Sequence, residues 1–449
     1  MSTALPTPTD LAVAKHVQAT DLSNCELYGE DGFWVADLAV VRNQLDRWKK
    51  SLPFVRPFYA VKCNPTPRLL SLLAAPCYGL GFDCATHAEI AQTLSLGVSP
   101  SDIIYANPCK APSHLRYAAS ASVTTMTFDN AAELHKIKKC CPAARCVLRI
   151  KLTPGAYTDS AAEDPRYDLS LKYGVALAGA QELLLLAKSL GLMVVGVAFH
   201  VGSGQSDCRA YLNHIVEARK VWDMAAEVGY RFTLLDIGGG FMDESFEDVA
   251  GSLREAIETE FGDVMKNTEG MEVIAEPGRF FCATAFTLVT SVIAVRGEEE
   301  GTDEAGKRML YLADGIYSNI NAAMWPGELT FPTVVKGRKM GTMKTRDSQL
   351  VPTPSSTSSA SSDSGIDMEE GSSGEDGGAG AQLKGAMQEC SVWGPTCDCG
   401  DVILKSAWLP RDIEVGDWFV FKGLGAYSVC MRNPFNGFST DHKFYYLNE

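Results

Sequence analysis

The 449-residue sequence predicts an α/β fold: a (β/α)8 barrel of the TIM type followed by an all-β domain. Two observations predict it. Short apolar runs with strand character alternate with helical patterns over about 230 residues, which suits a closed parallel barrel. Beyond Arg279 the rhythm changes to strand-like runs without helices between them, the pattern of a β domain. A doubly wound open sheet is the competing architecture. The number of strand-like runs and the length they occupy favour the barrel.

The eight runs are 57–61 (PFYAV), 81–85 (GFDCA), 103–106 (IIYA), 125–128 (TMTF), 147–150 (VLRI), 194–200 (VVGVAFH), 233–237 (TLLDI) and 273–275 (VIA). Helical signals lie between most of them. Thr86-His87-Ala88-Glu89 reads as a capping box opening a helix that Gly97 can close. Gln181 to Leu190 is leucine-rich and stops at Gly191. Leu212, Ile215, Ala218, Trp222 and Ala225 keep helical spacing up to Gly229. Each strand ends in a polar residue: Lys62, Asp83, Asn107, Asp129, Arg149, His200, the Asp236–Gly240 turn and Glu276. Barrel enzymes work at the carboxyl ends of their strands, so this row marks the expected site.

The β domain is expected from 281–344 and 389–449, with strands at 286–289, 308–312, 418–421 and 444–446. The barrel is expected over 41–280. Residues 1–40 form an N-terminal segment whose part from Cys25 to Val40 looks β-like and partly joins the β domain. An insert at 345–388 is rich in Ser, Gly and acid and poor in apolar side chains, so it is expected to be disordered.

Bulk properties exclude several roles. The net charge of −15 argues against broad binding to nucleic acid or anionic membranes. Part of it is local, because residues 351–380 hold six acidic and no basic side chains. The 14 cysteines form neither a disulfide ladder nor paired CxxC motifs, which points to a reducing, cytoplasmic setting and to no metal site. The amino terminus has no basic-then-apolar leader pattern, and no run reaches membrane-spanning length.

Lys62 ends an apolar run, where an ammonium is costly unless it is paired or used covalently. The two readings are an ion pair with a carboxylate such as Asp83 and a covalent catalytic role. Asp236-Ile237-Gly238-Gly239-Gly240 is either a tight turn or an anion cradle of backbone N–H groups. In Ala275-Glu276-Pro277-Gly278-Arg279 the carboxylate suits a pyridinium nitrogen and the guanidinium suits phosphate. A surface ion pair is the plainer alternative there. His200 and Ser203, in Phe199-His200-Val201-Gly202-Ser203-Gly204, offer an imidazole for a ring and a hydroxyl for phosphate. Gly394-Pro395-Thr396-Cys397-Asp398 places a thiol beside a carboxylate, or is a turn with a buried cysteine.

Together PFYAVKCN, GFDCA, IIYANPCK, FHVGSG, LDIGGGF, IAEPGR, WGPTCD, GDW, GAY and FNGF occur in an order that resembles the eukaryotic ornithine decarboxylases. These belong to the alanine-racemase-like enzymes that use pyridoxal 5'-phosphate. The resemblance runs from about Leu27 to the carboxyl terminus, outside the insert. It implies a polyamine-forming lyase in which Lys62 bonds the cofactor, His200 stacks on its ring and Glu276 pairs with its ring nitrogen. Ser203, Gly238, Gly239, Gly240, Arg279 and Tyr427 would surround the phosphate, with Asp83, Glu89 and Arg149 in support. It further implies a homodimer with shared sites. Cys397 would return a proton and Asp398 would contact the distal amine of the substrate, in company with Tyr317, Trp325 and Glu328. Lys172 and Asp401 match an intersubunit ion pair of the family.

The sequence departs from the family at the stretch beginning Asp314-Gly315-Ile316-Tyr317, where Pro326 stands in the register of a substrate-binding Asp and Glu328 lies two residues on. The segment 149–172, with Pro154, Gly155 and Pro165, is also atypical. Three readings follow. The chain decarboxylates a basic amino acid, ornithine to putrescine first among them. It acts on a modified or N-substituted amino acid in secondary metabolism. Or it is a non-catalytic relative that binds a regulatory inhibitor protein, although such relatives lose cofactor residues that this chain keeps.

Overall fold

The computed structural model describes residues 5–22, 25–27, 29–151, 171–205, 207–297, 307–325, 327–338, 387–439 and 441–448. Pro154, Gly155, Pro165, Pro326 and nearly all of the expected insert lie outside the described residues. The chain divides into two compact units. One takes in 37–286, 425–431 and 446–449. The other takes in 1–36, 287–424 and 432–445.

The first strand, β1 (Phe33–Asp37), joins the sheet of the second unit. The next eight make the barrel: β2 (Val55–Ala60), β3 (Gly81–Cys84), β4 (Ile103–Tyr105), β5 (Thr125–Phe128), β6 (Arg145–Arg149), β7 (Met193–Ala198), β8 (Leu234–Asp236) and β9 (Glu272–Ala275). They pair in parallel in sequence order, and β9 closes the ring on β2 with Val273 opposite Val55. Phe58, Ile104, Val147, Val195, Leu234 and Ile274 form the buried filling of the barrel. Burying each such side chain contributes about 1.5–3 kcal/mol. Phe58 lies across the strand beside it, where a Cβ on Gly81 would come within 2.4 Å of its ring. An apolar middle leaves the strand ends as the place for polar residues.

The expected helices form with their expected stops. Cys208–Val228 buries Ile215, Ala218, Trp222 and Ala225 and ends at Gly229, whose φ of +90° suits glycine. Thr86 caps the helix His87–Ser95 by accepting from the Glu89 N–H at 3.2 Å. The Glu89 carboxylate reaches back over the helix start and accepts from the Ala85 N–H.

In the second unit β10 (Phe286–Arg296), β11 (Arg308–Leu312), β12 (Thr333–Val335), β13 (Met387–Trp393), β14 (Val402–Pro410) and β15 (Trp418–Lys422) run in the order β12-β15-β10-β11-β13-β14. β16 (Lys443–Leu447) pairs with β1, which pairs with β10. The β-like reading of Cys25 to Val40 is corrected. Among the described residues of that stretch strand occupies Phe33–Asp37, and Leu38–Ser51 is helical. Asp37 makes the switch by capping that helix through Ala39 N–H at 3.0 Å. Leu38, Val41, Leu45 and Trp48 then fall on one buried face, so the apolar run belonged to a helical period. A helix at Pro8–Ala19, opened by a Thr7–Asp10 capping box, had not been read.

Among the described residues no helix is long and apolar enough to cross a membrane. All fourteen cysteines are free thiols.

Candidate active site

Lys62 leaves β2 in a single 3-10 turn, Val61–Cys63, and its Nζ touches the carboxylate of the fully buried Asp83. Asp83 stands at the end of the neighbouring strand, in register with Ala60. The ion-pair reading of Lys62 is thus present as a contact. It does not account for the surroundings. The Lys62 side chain remains 38% exposed, and it lines a small cleft together with His200, Ser203, Glu276, Arg279 and Tyr427. Burial opposes its charge, but Asp83 and Glu276 outweigh that and hold the amine firmly protonated.

The glycine turn after β8 forms one wall. Gly238 and Gly240 take φ of +65° and +108°, and a Cβ on Gly238 would sit 2.2 Å from the Phe199 carbonyl oxygen. A Cβ on Gly239 would sit 2.9 Å from His200 Nε2, so the backbone there comes close to the imidazole. The turn is braced by Gly238 N–H donating to Asp236 Oδ1 at 2.9 Å and by Tyr211 Oη donating to the Gly239 carbonyl at 3.1 Å. Arg279 follows Glu276-Pro-Gly, donates to Ser203 Oγ at 3.3 Å and lies over the Tyr427 ring at 5.3 Å. Tyr427 is fixed by its own N–H, which donates to the Cys63 carbonyl at 2.9 Å. A guanidinium, a hydroxyl and a glycine turn on one wall make an anion cradle.

Glu276 and His200 supply the remaining walls. Burial, then Asp236 and Asp83, push the Glu276 carboxyl well above its usual range. Burial, then Arg149 and Lys62, push His200 well below its usual value, so its ring is neutral. Its Nδ1 accepts from Gly202 N–H at 3.0 Å, which leaves the proton on Nε2. Arg149, 8% exposed at the end of β6, acts on this group by its charge and lies over the Tyr173 ring at 5.2 Å. The residues present fit pyridoxal 5'-phosphate: an amine for its aldehyde, an anion cradle for its phosphate and a carboxyl for its ring nitrogen.

The second set of expected residues lies in the sheet unit. Tyr317 donates its hydroxyl to the Asp398 carboxylate, which holds that acid below its usual range. Cys397 N–H donates to Asn436 Oδ1 at 3.0 Å and its thiol is exposed, not buried in the turn. Trp325 is exposed, and Glu328 N–H donates to its carbonyl at 3.2 Å. Asp401, which the resemblance pairs with Lys172 across a subunit interface, is bonded to its neighbours in this chain. Asp401 is 1% exposed, its Oδ1 accepts from Ile316 N–H, and its Oδ2 accepts from the Thr396 N–H and hydroxyl. This carboxylate thus satisfies backbone N–H groups of Ile316 and Thr396. The Lys172 amine lies over the Tyr173 ring at 5.1 Å.

The structure therefore gathers Lys62, Asp83, His200, Ser203, Gly238–Gly240, Glu276, Arg279 and Tyr427 about one cleft, and Tyr317, Cys397 and Asp398 about another loop cluster. The sequence reading passed over Asp236 as a site residue. The signal was available, because an acid ending an apolar run is as costly as the Lys62 amine. Tyr211 carried no signal, since it sits on a helix whose periodicity explains it.

Residues 38–283 match the family described as "Pyridoxal-dependent decarboxylase, pyridoxal binding domain". An ornithine decarboxylase of Schizosaccharomyces pombe is 43% identical over 92% of this chain and 83% of its own length. An antizyme inhibitor 2 of Xenopus laevis is 38% identical over 91% of the chain and 79% of its length. The crystal structure of the Paramecium bursaria Chlorella virus arginine decarboxylase bound to agmatine has a TM-score of 0.74, with 28% identity over 93% of this chain and 97% of that one.

Proposed function

The chain belongs to the ornithine decarboxylase family of pyridoxal-dependent decarboxylases, and from that premise we propose that it removes the α-carboxylate of ornithine to give putrescine and CO2. The observation that carries the reading is the cleft itself. Lys62, Glu276 and the Arg279–Ser203–glycine cradle converge at the carboxyl ends of the barrel strands.

Bound there, the cofactor's protonated ring accepts the electron pair left when the carbon–carboxylate bond breaks. The protein's residues do the rest. Lys62 is the amine that holds the cofactor aldehyde. Its Nζ must first lose a proton, and the Asp83 carboxylate it touches is the acceptor at hand. Arg279, Ser203 and the N–H groups of Gly239 and Gly240 would hold the phosphate, which would fix the ring position, while Gly238 N–H is taken by Asp236. Glu276 keeps the ring nitrogen protonated. His200, being neutral, covers the ring without adding a positive charge that would compete with it. Tyr427 and Phe241 close the cleft against water, where loss of a carboxylate's charge becomes easier.

Cys397 is the proton donor to the carbon that has lost CO2, and Asp398, kept ionised by the Tyr317 hydroxyl, receives the distal ammonium. We read the chain as a cytoplasmic homodimer in which Cys397 and Asp398 of one copy serve the cleft of the other.

One observation favours a second substrate class. Pro326 occupies the register of a family Asp, and Glu328 is the carboxylate nearest to it in sequence. A diamino acid then has one fewer acid for its second ammonium, which favours a substituted distal nitrogen. The non-catalytic reading is disfavoured by retention of Lys62, Glu276, Arg279 and Cys397. The test is CO2 release by purified protein from ornithine, lysine and N-substituted diamino acids. Fastest turnover of ornithine is expected. Faster turnover of a substituted substrate would replace the leading reading, and bound cofactor with no turnover of any would overturn decarboxylation of this class.

A further inference from the structure

Three acids meet in the barrel end: Asp83 after β3, Asp236 at the end of β8 and Glu276 after β9. Asp236 and Glu276 are placed together by register. Asp236 lies opposite Ile274, and Glu276 is two residues further along, hence on the same face. Backbone bonds lock the pair, with Glu276 N–H donating to the Gly238 carbonyl at 2.7 Å and Gly238 N–H donating to Asp236 Oδ1 at 2.9 Å. Asp236 is fully buried and its other oxygen, Oδ2, meets no donor. The group within hydrogen-bonding reach of Asp236 is the Glu276 carboxyl.

Two carboxylates in contact in a buried site repel, and an acceptor facing an acceptor satisfies neither. One proton between them removes both costs. The charge count agrees. Lys62 and Arg149 are the cations acting on Glu276, His200 is neutral, and Glu89 adds a further acid beside Asp83 and Lys62, so the acids outnumber the cations that balance them. We propose that Asp236 is a positioning residue for Glu276: it holds a proton, donates it as a hydrogen bond to Glu276, and so aims the Glu276 carboxylate at the cofactor ring nitrogen. Burial raises both carboxyls, Asp236 to about 7 and Glu276 further, so the pair holds a proton at neutral pH; without a ring Asp236 acts on Glu276 as the anion, and a positively charged ring nitrogen beside Glu276 draws the negative charge onto Glu276 and the proton onto Asp236. The pair thus carries one negative charge towards a ring that carries one positive charge, and the buried site stays balanced.

This inference rests on the cofactor-site reading above. It has a specific chemical consequence. Asparagine reproduces the protonated acid, because its Oδ1 can accept from Gly238 N–H while its Nδ2 donates to Glu276. Alanine reproduces neither. The experiment is titration of pyridoxal 5'-phosphate, followed by protein fluorescence, into full-length protein stripped of cofactor. Asp236→Ala should weaken binding by at least about tenfold, the usual effect of removing a group that orients a ligand-holding residue. Asp236→Asn should restore it to within about threefold of wild type. In the infrared difference between wild type and Asp236→Asn, a protonated carboxyl C=O stretch should appear near neutral pH and vanish as pH rises.

If Asp236→Asn binds as poorly as Asp236→Ala, or no protonated carboxyl is seen, the acid acts as an anion and the proposal falls. If Asp236→Ala fails to fold, the asparagine variant and the infrared band decide it alone. Wild-type protein that takes up no cofactor would overturn the functional reading itself, and this inference with it.

Discussion

At the scale of single residues, the molecule spends most of its electrostatic effort on one cleft. Lys62 is raised by Asp83 and Glu276 against its burial, His200 is lowered by burial together with Arg149 and Lys62, and Glu276 is raised by burial together with Asp236 and Asp83. Lys62 and Glu276 were legible in the sequence because a charge at the end of an apolar run has few explanations. The role proposed for Cys397 comes from resemblance, since a thiol beside a carboxylate in a loop also suits a plain turn. Its role can be isolated. Cys397→Ala should lower kcat by roughly 100-fold or more, the usual contribution of a positioned general acid, while cofactor absorbance stays unchanged. A kcat within about threefold of wild type would assign that proton to another group.

At the scale of elements, the barrel strands were readable because their inward side chains are apolar and their ends are polar. The segment before the barrel was misread because an apolar run of four, Leu38-Ala39-Val40-Val41, suits a strand or a helix, and the Asp37 cap decides between them. A second buried acid pairing belongs to this scale. His442 Nε2 lies 2.8 Å from Asp314 Oδ2, and Asp314 also accepts from Gly315 and Asn319 N–H groups at 2.8 and 2.9 Å. Burial lowers the His442 pKa, but Asp314 and Asp31 outweigh it, so the folded value is raised. The stabilisation is therefore complete below the unfolded histidine value of about 6.5 and is lost as pH rises through the folded value. His442→Gln should cost about 3 kcal/mol below that pH and progressively less above it, read from denaturation midpoints. A cost that does not change with pH would mean that the pair is not charged.

At the scale of the whole molecule, the two compact units carry different halves of the proposed chemistry. The barrel holds the cofactor residues, and the sheet unit holds Cys397, Asp398 and Tyr317. If one copy's sheet unit serves the other's barrel, two different inactive chains can repair each other. Lys62→Ala and Cys397→Ala, mixed in equal amounts and allowed to exchange, should recover roughly a quarter of wild-type activity, because half of the dimers gain one intact site. No recovery would mean that each chain completes its own site.

The sequence by itself determined the barrel, the sheet domain and the row of polar strand ends, because apolar periodicity and strand-end charge are local properties of the chain. Only the tertiary structure decided which of those ends share a cleft, and that Asp236 faces Glu276 without a donor between them. These depend on register between strands distant in sequence and on which hydrogen-bonding groups burial leaves unpaired, and neither is written in any single segment.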